Sequence, residues 1–234
     1  MPSYARKHQL TKSLVYHAFN RSHGKVPIFH VENDYDHFIK LLKTYSERFA
    51  LKIYHWAIMD NHYHILFEID LPENISKFMA GLGRAYTHYY QKVYQSTGFL
   101  WQGRFKMQPV QRERYLITCG RYIERNPVRK KFVSGASDYP YSSCRFYTLG
   151  LNDGITQEDP TFKDFDPEIN LRREKYKKFL RDFDLRQEAG FRNFDEPQGD
   201  KQFIKRLFKV NGRLLPQRRG KPKGKIKCAT SGPV

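Results

Sequence analysis

Residues 51–69 read LKIYHWAIMDNHYHILFEI. Two runs rich in β-branched and aromatic residues, Leu51–Met59 and His62–Ile69, flank the polar pair Asp60-Asn61, a pattern that predicts a β-hairpin. Upstream, Leu14–Asn20 (LVYHAFN) predicts a strand. A helix over Asn33–Phe49 follows, with Asn33 or Asp34 as cap and Phe38, Leu41, Leu42 and Tyr45 at helical spacing. Downstream, Ile75–Tyr94 predicts a helix with Phe78, Leu82, Ala85, Tyr86 and Tyr89 on one face. Gly98–Gly103 reads as a loop, Arg104–Val110 as a fourth strand, and Arg112–Arg125 as a helix stopped by Pro127. The order strand, helix, strand, strand, helix, strand, helix predicts an α+β fold. Its antiparallel sheet has the ferredoxin-like, split βαβ arrangement, with one extra helix appended. The expected organisation is a main domain over 1–150, a helical extension over 151–212 and a flexible basic tail over 213–234. Within the extension, helices are expected at Asp166–Arg186 and Asp200–Phe208.

The chain has 234 residues, of which 39% are hydrophobic and 15% aromatic, enough to build a core and to exclude a wholly disordered basic protein. No apolar run approaches the ~18–20 residues of a membrane span, and no continuous apolar stretch near the N-terminus suggests a secretory signal. Cys119, Cys144 and Cys228 are scattered and form no CxxC pair, which argues against a disulfide framework or zinc cluster and for a reducing cytosol. The net charge of +18 implies an anionic polymer or surface as partner. By segment, residues 1–150 carry +11, residues 151–200 carry −4 and residues 201–234 carry +11 with no acidic residue. The last block includes Arg218, Arg219, Lys221 and Lys223 among glycines and a proline. It reads either as a solvated tail or as a minor-groove arm. Arg219-Gly220-Lys221-Pro222 resembles the Arg-Gly-Arg-Pro core of AT-hooks, with lysine at the second basic position.

Two constellations can carry chemistry. In His62-Tyr63-His64, residues i and i+2 of a strand share a face, so both imidazoles lie side by side. Taken alone, such a pair is more often structural than metal-binding, although it is a natural start for a metal site. On the helix after the fourth strand, Tyr115, Cys119, Tyr122 and Asn126 follow i, i+4, i+7, i+11 spacing and share a face. There too the plain reading is amphipathic packing, with Asn126 ending the helix before Pro127.

Five ordered segments together are more specific. They are Tyr16-His17 with Asn20-Arg21, Met59–His64, Leu100–Phe105, Arg121–Arg129 (RYIERNPVR) and Tyr139–Ser143 (YPYSS). In this the chain resembles the REP-associated tyrosine transposases, a branch of the single-tyrosine HUH transposases, over about residues 14–147. The resemblance implies that His62, His64 and Asn126 hold a divalent metal, Mg²⁺ or Mn²⁺, and that Tyr122 is the nucleophile. Tyr63 departs from the plain aliphatic common between the two histidines, and should point to the opposite sheet face. Tyr115 is the alternative nucleophile, but Cys119 occupies its i+4 position.

The implied activity is cleavage and strand transfer of single-stranded or hairpin DNA resembling REP palindromes, through a 5′-phosphotyrosine. Because one ester replaces another, the free 3′-OH can reverse the step. The alternative is a domesticated, non-cleaving protein that binds repeat hairpins. Arg21, Trp101, Arg104, Lys106 and Arg121 are expected to meet DNA by phosphate contact or stacking. A cytoplasmic, nucleoid-associated bacterial protein, monomer or homodimer, is expected, with no membrane partner. The tail should raise local DNA concentration without choosing the bond to be cut. Deleting residues 216–234 should therefore weaken binding and flatten its salt dependence, while Tyr122 adduct formation on a saturating hairpin oligonucleotide persists.

Overall fold

The computed structural model describes residues 14–194 and 196–211. The basic residues Arg218, Arg219, Lys221 and Lys223 lie outside them. The expected order is present: β1 (Leu14–Arg21), α1 (Glu32–Arg48), β2 (Leu51–Ile58), β3 (His62–Ile69), α2 (Asn74–Tyr94), β4 (Lys106–Val110) and α3 (Arg114–Glu124). The strands form one antiparallel sheet in the order β2-β3-β1-β4, the split-βαβ topology. No helix among the described residues is long and apolar enough to cross a membrane.

Strand alternation divides the sheet into two faces. One face carries Tyr16, Ala18, Ile53, Trp56, Tyr63, Ile65 and Phe67, which pack under Phe38 and Leu42 of α1 and Phe78, Leu82 and Tyr86 of α2. Val15, Ala57, Leu66 and Val110 lie on the other face, against Leu116, Cys119, Tyr122 and Ile123 of α3. Tyr63 points away from its flanking histidines, as expected, and is fully buried with its ring 4.8 Å from Phe38.

Local departures from the expected elements have identifiable causes. Helix α1 begins with Val31 at the cap position, and Asp34 acts from inside the first turn. Its carboxylate accepts from the backbone N–H groups of His30 and Val31, at 2.8 and 3.1 Å. It also accepts from the hydroxyls of Tyr89 and Tyr94 on α2, so the cap ties two helices together. Helix α3 ends before Pro127 as expected, but the chain turns at once into a further helix. Helix α3 stops at Glu124 and a short α4 (Asn126–Arg129) starts, with Pro127 in its first turn, where a missing N–H costs nothing. The helix expected over Asp166–Arg186 is split into α6 (Ile169–Arg181) and α7 (Leu185–Ala189), the latter capped by Asp184 accepting from Arg186 N–H. Between α4 and α6 lies α5 (Cys144–Leu149), and α8 covers Lys201–Asn211.

The division expected at residue 150 does not coincide with a break in packing. Thr156 pairs with Ile53 on the β2 edge and Gln198 pairs with Val110 on the β4 edge. Gln157 N–H donates to Ile53 O at 2.8 Å, and Gln198 N–H donates to Pro109 O at 2.8 Å. A bulge between Ile53 and His55 turns His55 toward α3. There its Nδ1 meets Glu124 Oε1 at 2.8 Å and its Nε2 meets Asp159 Oδ2 at 3.1 Å, all three side chains being fully buried. Ser143 and Tyr176 donate to the same Glu124 carboxylate at 2.7 and 2.9 Å. Gly120 permits this approach of α3 to β2, because a Cβ there would lie 2.5 Å from the imidazole.

Burial works against charge on His55, but Glu124 and Asp159 outweigh it and raise its pKa from 6.5 to about 9. The charged pair's contribution to stability is therefore complete below pH 6.5 and is lost as pH rises through about 9. Denaturant titrations should show stability falling by about 1–3 kcal/mol over that window, and His55→Gln should remove the slope while lowering stability at pH 6.5.

Candidate active site

The cleft lies at the end of β1 and β3, on the α3 face. Pairing sets Arg21 opposite His62, Phe19 opposite His64 and His17 opposite Leu66, so these side chains share one surface. The rings of His62 and His64 are 5.2 Å apart and nearly perpendicular. Both are nearly buried, at 7% and 3% exposure. Tyr122 of α3 lies over them, with its ring centre 5.8 Å from both His64 and His17. The expected nucleophile and the expected histidine pair are thus brought together. Tyr115 instead packs at the edge of the α3 core and does not line the cleft.

Hydrogen bonds fix how the imidazoles present themselves. Asn61 Nδ2 donates to Lys25 O at 2.7 Å, which turns its oxygen toward His62 Nδ1 at 2.6 Å. His62 therefore donates from Nδ1 and keeps the Nε2 lone pair. His64 Nδ1 is 2.8 Å from His17 Nε2, and Gln108 Nε2 is 3.1 Å from His17 Nδ1. Burial lowers the pKa of His62 to about 3, with repulsion from Lys130, Arg21 and Arg129 adding to it, and lowers that of His64 well below its usual value. Both remain neutral at ordinary pH, the state a metal ligand requires. Burial raises the pKa of the Tyr122 phenol, and the nearby Arg129 opposes that rise.

Asn126 lies at the start of α4, one helical turn from Tyr122. Its Nδ2 donates to Tyr122 O and Ile123 O, both at 3.2 Å, and its Oδ1 accepts from Arg129 Nη2 at 2.6 Å. Among the described residues, no group of three or more His, Cys, Asp or Glu side chains is placed to hold a metal ion. A cation here would depend on the Asn126 amide oxygen in addition to the two imidazoles. Two neutral imidazoles and an amide oxygen suit a divalent ion of borderline hardness, and the donor set fits the expected group.

These residues border a cavity of about 540 Å³. Its wall includes six cations, Arg21, Lys25, Lys106, Arg129, Lys130 and Arg192, and no carboxylate among the described residues. Of the basic residues expected at DNA, Arg21 and Lys106 line this cleft, and Arg104 is exposed on the preceding loop. Arg121 is a correction. It is only 3% exposed, donates to Asp182 O at 2.7 Å and lies 4.2 Å over the Phe179 ring, so it docks the C-terminal extension and cannot face a phosphate. Trp101 is only partly buried; its indole donates to Gly83 O and its ring meets Tyr63 edge-on at 5.5 Å.

Several residues in and beneath the cleft escaped sequence reasoning. His17 stood in a matched segment with no role attached and is buried under the cleft. Lys25 and Arg192 come from short 3₁₀ turns, and Phe194 follows the second of these, its ring tilted 4.7 Å from His17 and stacked 5.5 Å from Phe19. Nothing local in sequence marks them.

No curated protein matches the chain. A solved structure, described as a REP-associated tyrosine transposase bound to a REP hairpin, superposes with a TM-score of 0.55 at 18% identity. The match covers 68% of this chain and 93% of that one, and it shows a shared fold. The family model described as "Transposase IS200 like" matches residues 10–126, half of the sequence. That span runs from β1 through both histidines and Tyr122 to Asn126, and the chain belongs to the family of IS200-like transposases.

Proposed function

We propose that this transposase is a metal-dependent endonuclease and strand transferase for single-stranded or hairpin DNA of the REP type, acting through a 5′-phosphotyrosine on Tyr122. The observation that carries this reading is the meeting of Tyr122, His62, His64 and Asn126 in one cleft whose charged wall residues, among the described residues, are all Lys or Arg. Likeness of fold to a protein bound to a REP hairpin supports the choice of substrate.

The cations would draw in a phosphodiester and hold it against the sheet face. His62, His64 and Asn126 would hold Mg²⁺ or Mn²⁺, which when bound supplies Lewis-acid stabilisation of the phosphate. The Tyr122 oxygen forms a bond to phosphorus, the 3′-oxygen leaves and gains a proton, and the phenol's proton is lost. Because burial keeps that phenol protonated, the positive charge of Arg129 beside its ring favours the anion needed for attack. His64 must offer a ring nitrogen while its other nitrogen stays bonded to His17. Reversing that chain requires the Gln108 amide to turn over, giving up its Nε2 bond to Phe191 O and bringing Oε1, which has no partner among the described residues, to accept from His17.

Incubating a labelled hairpin oligonucleotide bearing single-stranded flanks with the protein and Mn²⁺ should yield a denaturant-stable adduct. Tyr122→Phe should reduce it to background, and an equal yield from that variant would sink the assignment. Metal-independent binding with no cleavage in Mn²⁺ or Mg²⁺ would instead identify a non-cleaving binder.

Arg21→Ala and Lys106→Ala should each weaken hairpin binding. In a plot of log affinity against log salt, each should lower the slope by about one phosphate contact's worth. Arg121→Ala should leave that slope unchanged.

A further inference from the structure

Glu188 on α7 is fully buried and receives three guanidinium groups. Arg121 Nε is 3.6 Å from its carboxylate, Arg125 Nη1 3.1 Å and Arg129 Nη1 3.2 Å. The arginines recur every fourth residue, so together they form one ridge along α3 and α4. The first two serve docking: Arg121 donates to backbone carbonyls, and Arg125 lies 3.1 Å over the Phe183 ring.

Arg129 differs, because its other contacts are in the cleft. Its Nη2 donates to Asn126 Oδ1 at 2.6 Å and to Tyr122 O at 3.3 Å. Its guanidinium carbon lies 4.5 Å from the centre of the Tyr122 ring. One side chain thus touches the amide oxygen of the third ligand and the ring of the nucleophile. Asn126 Nδ2 is committed to two helix carbonyls, so the amide cannot turn over without losing both bonds. The amide oxygen has two lone pairs; Arg129 takes one and leaves the other for a cation. A planar, multidentate guanidinium can hold Glu188, Asn126 and Tyr122 at once, whereas a lysine ammonium on a single flexible stem cannot reproduce that geometry.

We infer that Glu188 and Arg129 are a positioning pair: Glu188, supplied by the C-terminal extension, fixes Arg129, and Arg129 fixes the Asn126 oxygen and the Tyr122 ring for the reaction. The inference rests on the proposed reading of the cleft. It goes further by making a residue of the extension part of the metal-binding and nucleophilic apparatus. Outer partners of metal ligands carry roughly 10–100-fold in metal affinity, which sets the size of effect to look for.

The test uses the full chain and its Arg129→Lys, Arg129→Ala and Glu188→Gln variants. Mn²⁺ affinity is read from the electron paramagnetic resonance signal of free ion, hairpin binding is read in EDTA, and folding by thermal melting. Arg129→Lys keeps the charge, so its loss of hairpin affinity in EDTA should be smaller than its loss of Mn²⁺ affinity. Its Mn²⁺ affinity should fall roughly 10–100-fold, with Arg129→Ala at least as weak. Glu188→Gln should weaken Mn²⁺ binding in the same direction. If it fails to fold, the double variant Glu188→Gln/Arg125→Met, which removes a surplus positive charge, takes its place. A folded Arg129→Lys protein with wild-type Mn²⁺ affinity overturns the inference while leaving the proposed function intact. If wild-type Mn²⁺ binding is absent, or unaffected by His62→Ala, the reading of the cleft fails and this inference fails with it.

Discussion

The pairing of β1 with β3 in the middle of the sheet is the constraint on which the site depends. Its register places Phe19 opposite His64 and Arg21 opposite His62, on the face that α3 covers. A slip of one residue would send both histidines under α1 and α2 and turn Tyr63 into the cleft. Such a slip is blocked by burial. Tyr63, Ile65 and Phe67 fill the opposite core, together with Phe38 and Trp56, and none of them could be exchanged for an imidazole without leaving a void or a buried polar group. The chemistry of one face is therefore held in place by the hydrophobic packing of the other.

On the proposed reading, the cleft joins two demands that usually conflict. Ligands for a metal must be neutral and dry, while a site for a phosphodiester must be strongly positive. Here the imidazoles are sunk below the surface, where burial holds them neutral, and the lysines and arginines stand around the rim. The same positive rim further discourages protonation of His62. On the proposed reading, some of the chain's +18 net charge has a local role at this cleft.

How much of this was legible in the sequence follows from how local each signal is. The bounds of β3, the inward turn of Tyr63 and the shared helical face of Tyr122 and Asn126 follow from short periodicities, and the structure reproduces them. Pro127 marked the end of α3 as expected, but a proline that stops one helix is also well suited to start another, and α4 was not foreseen. Arg121 misled because a cation on a helix is ordinarily solvated. It is buried here only because Glu188, the Asp182 carbonyl and the Phe179 ring arrive from far along the chain. The anchoring of Trp101 was hidden for the same reason, since its partners Gly83 and Tyr63 belong to other elements. The bulge that turns His55 toward Glu124 and Asp159 has no mark in its strand's composition, because either face would bury it.

The segments after residue 140 run along both outer strands of the sheet. Tyr141 and Ser142 lie beside Ile58 and Ala57, Thr156 lies beside Ile53, and Gln198 lies beside Val110. A four-stranded sheet left bare on both sides would present two rows of unsatisfied backbone donors and acceptors, each a template for another chain. In this protein those rows are partly occupied from within. A strand added to either edge would have to compete with these contacts at Ile53, Ala57 and Val110, so the extension that docks beside the cleft also guards the sheet against edge-to-edge association.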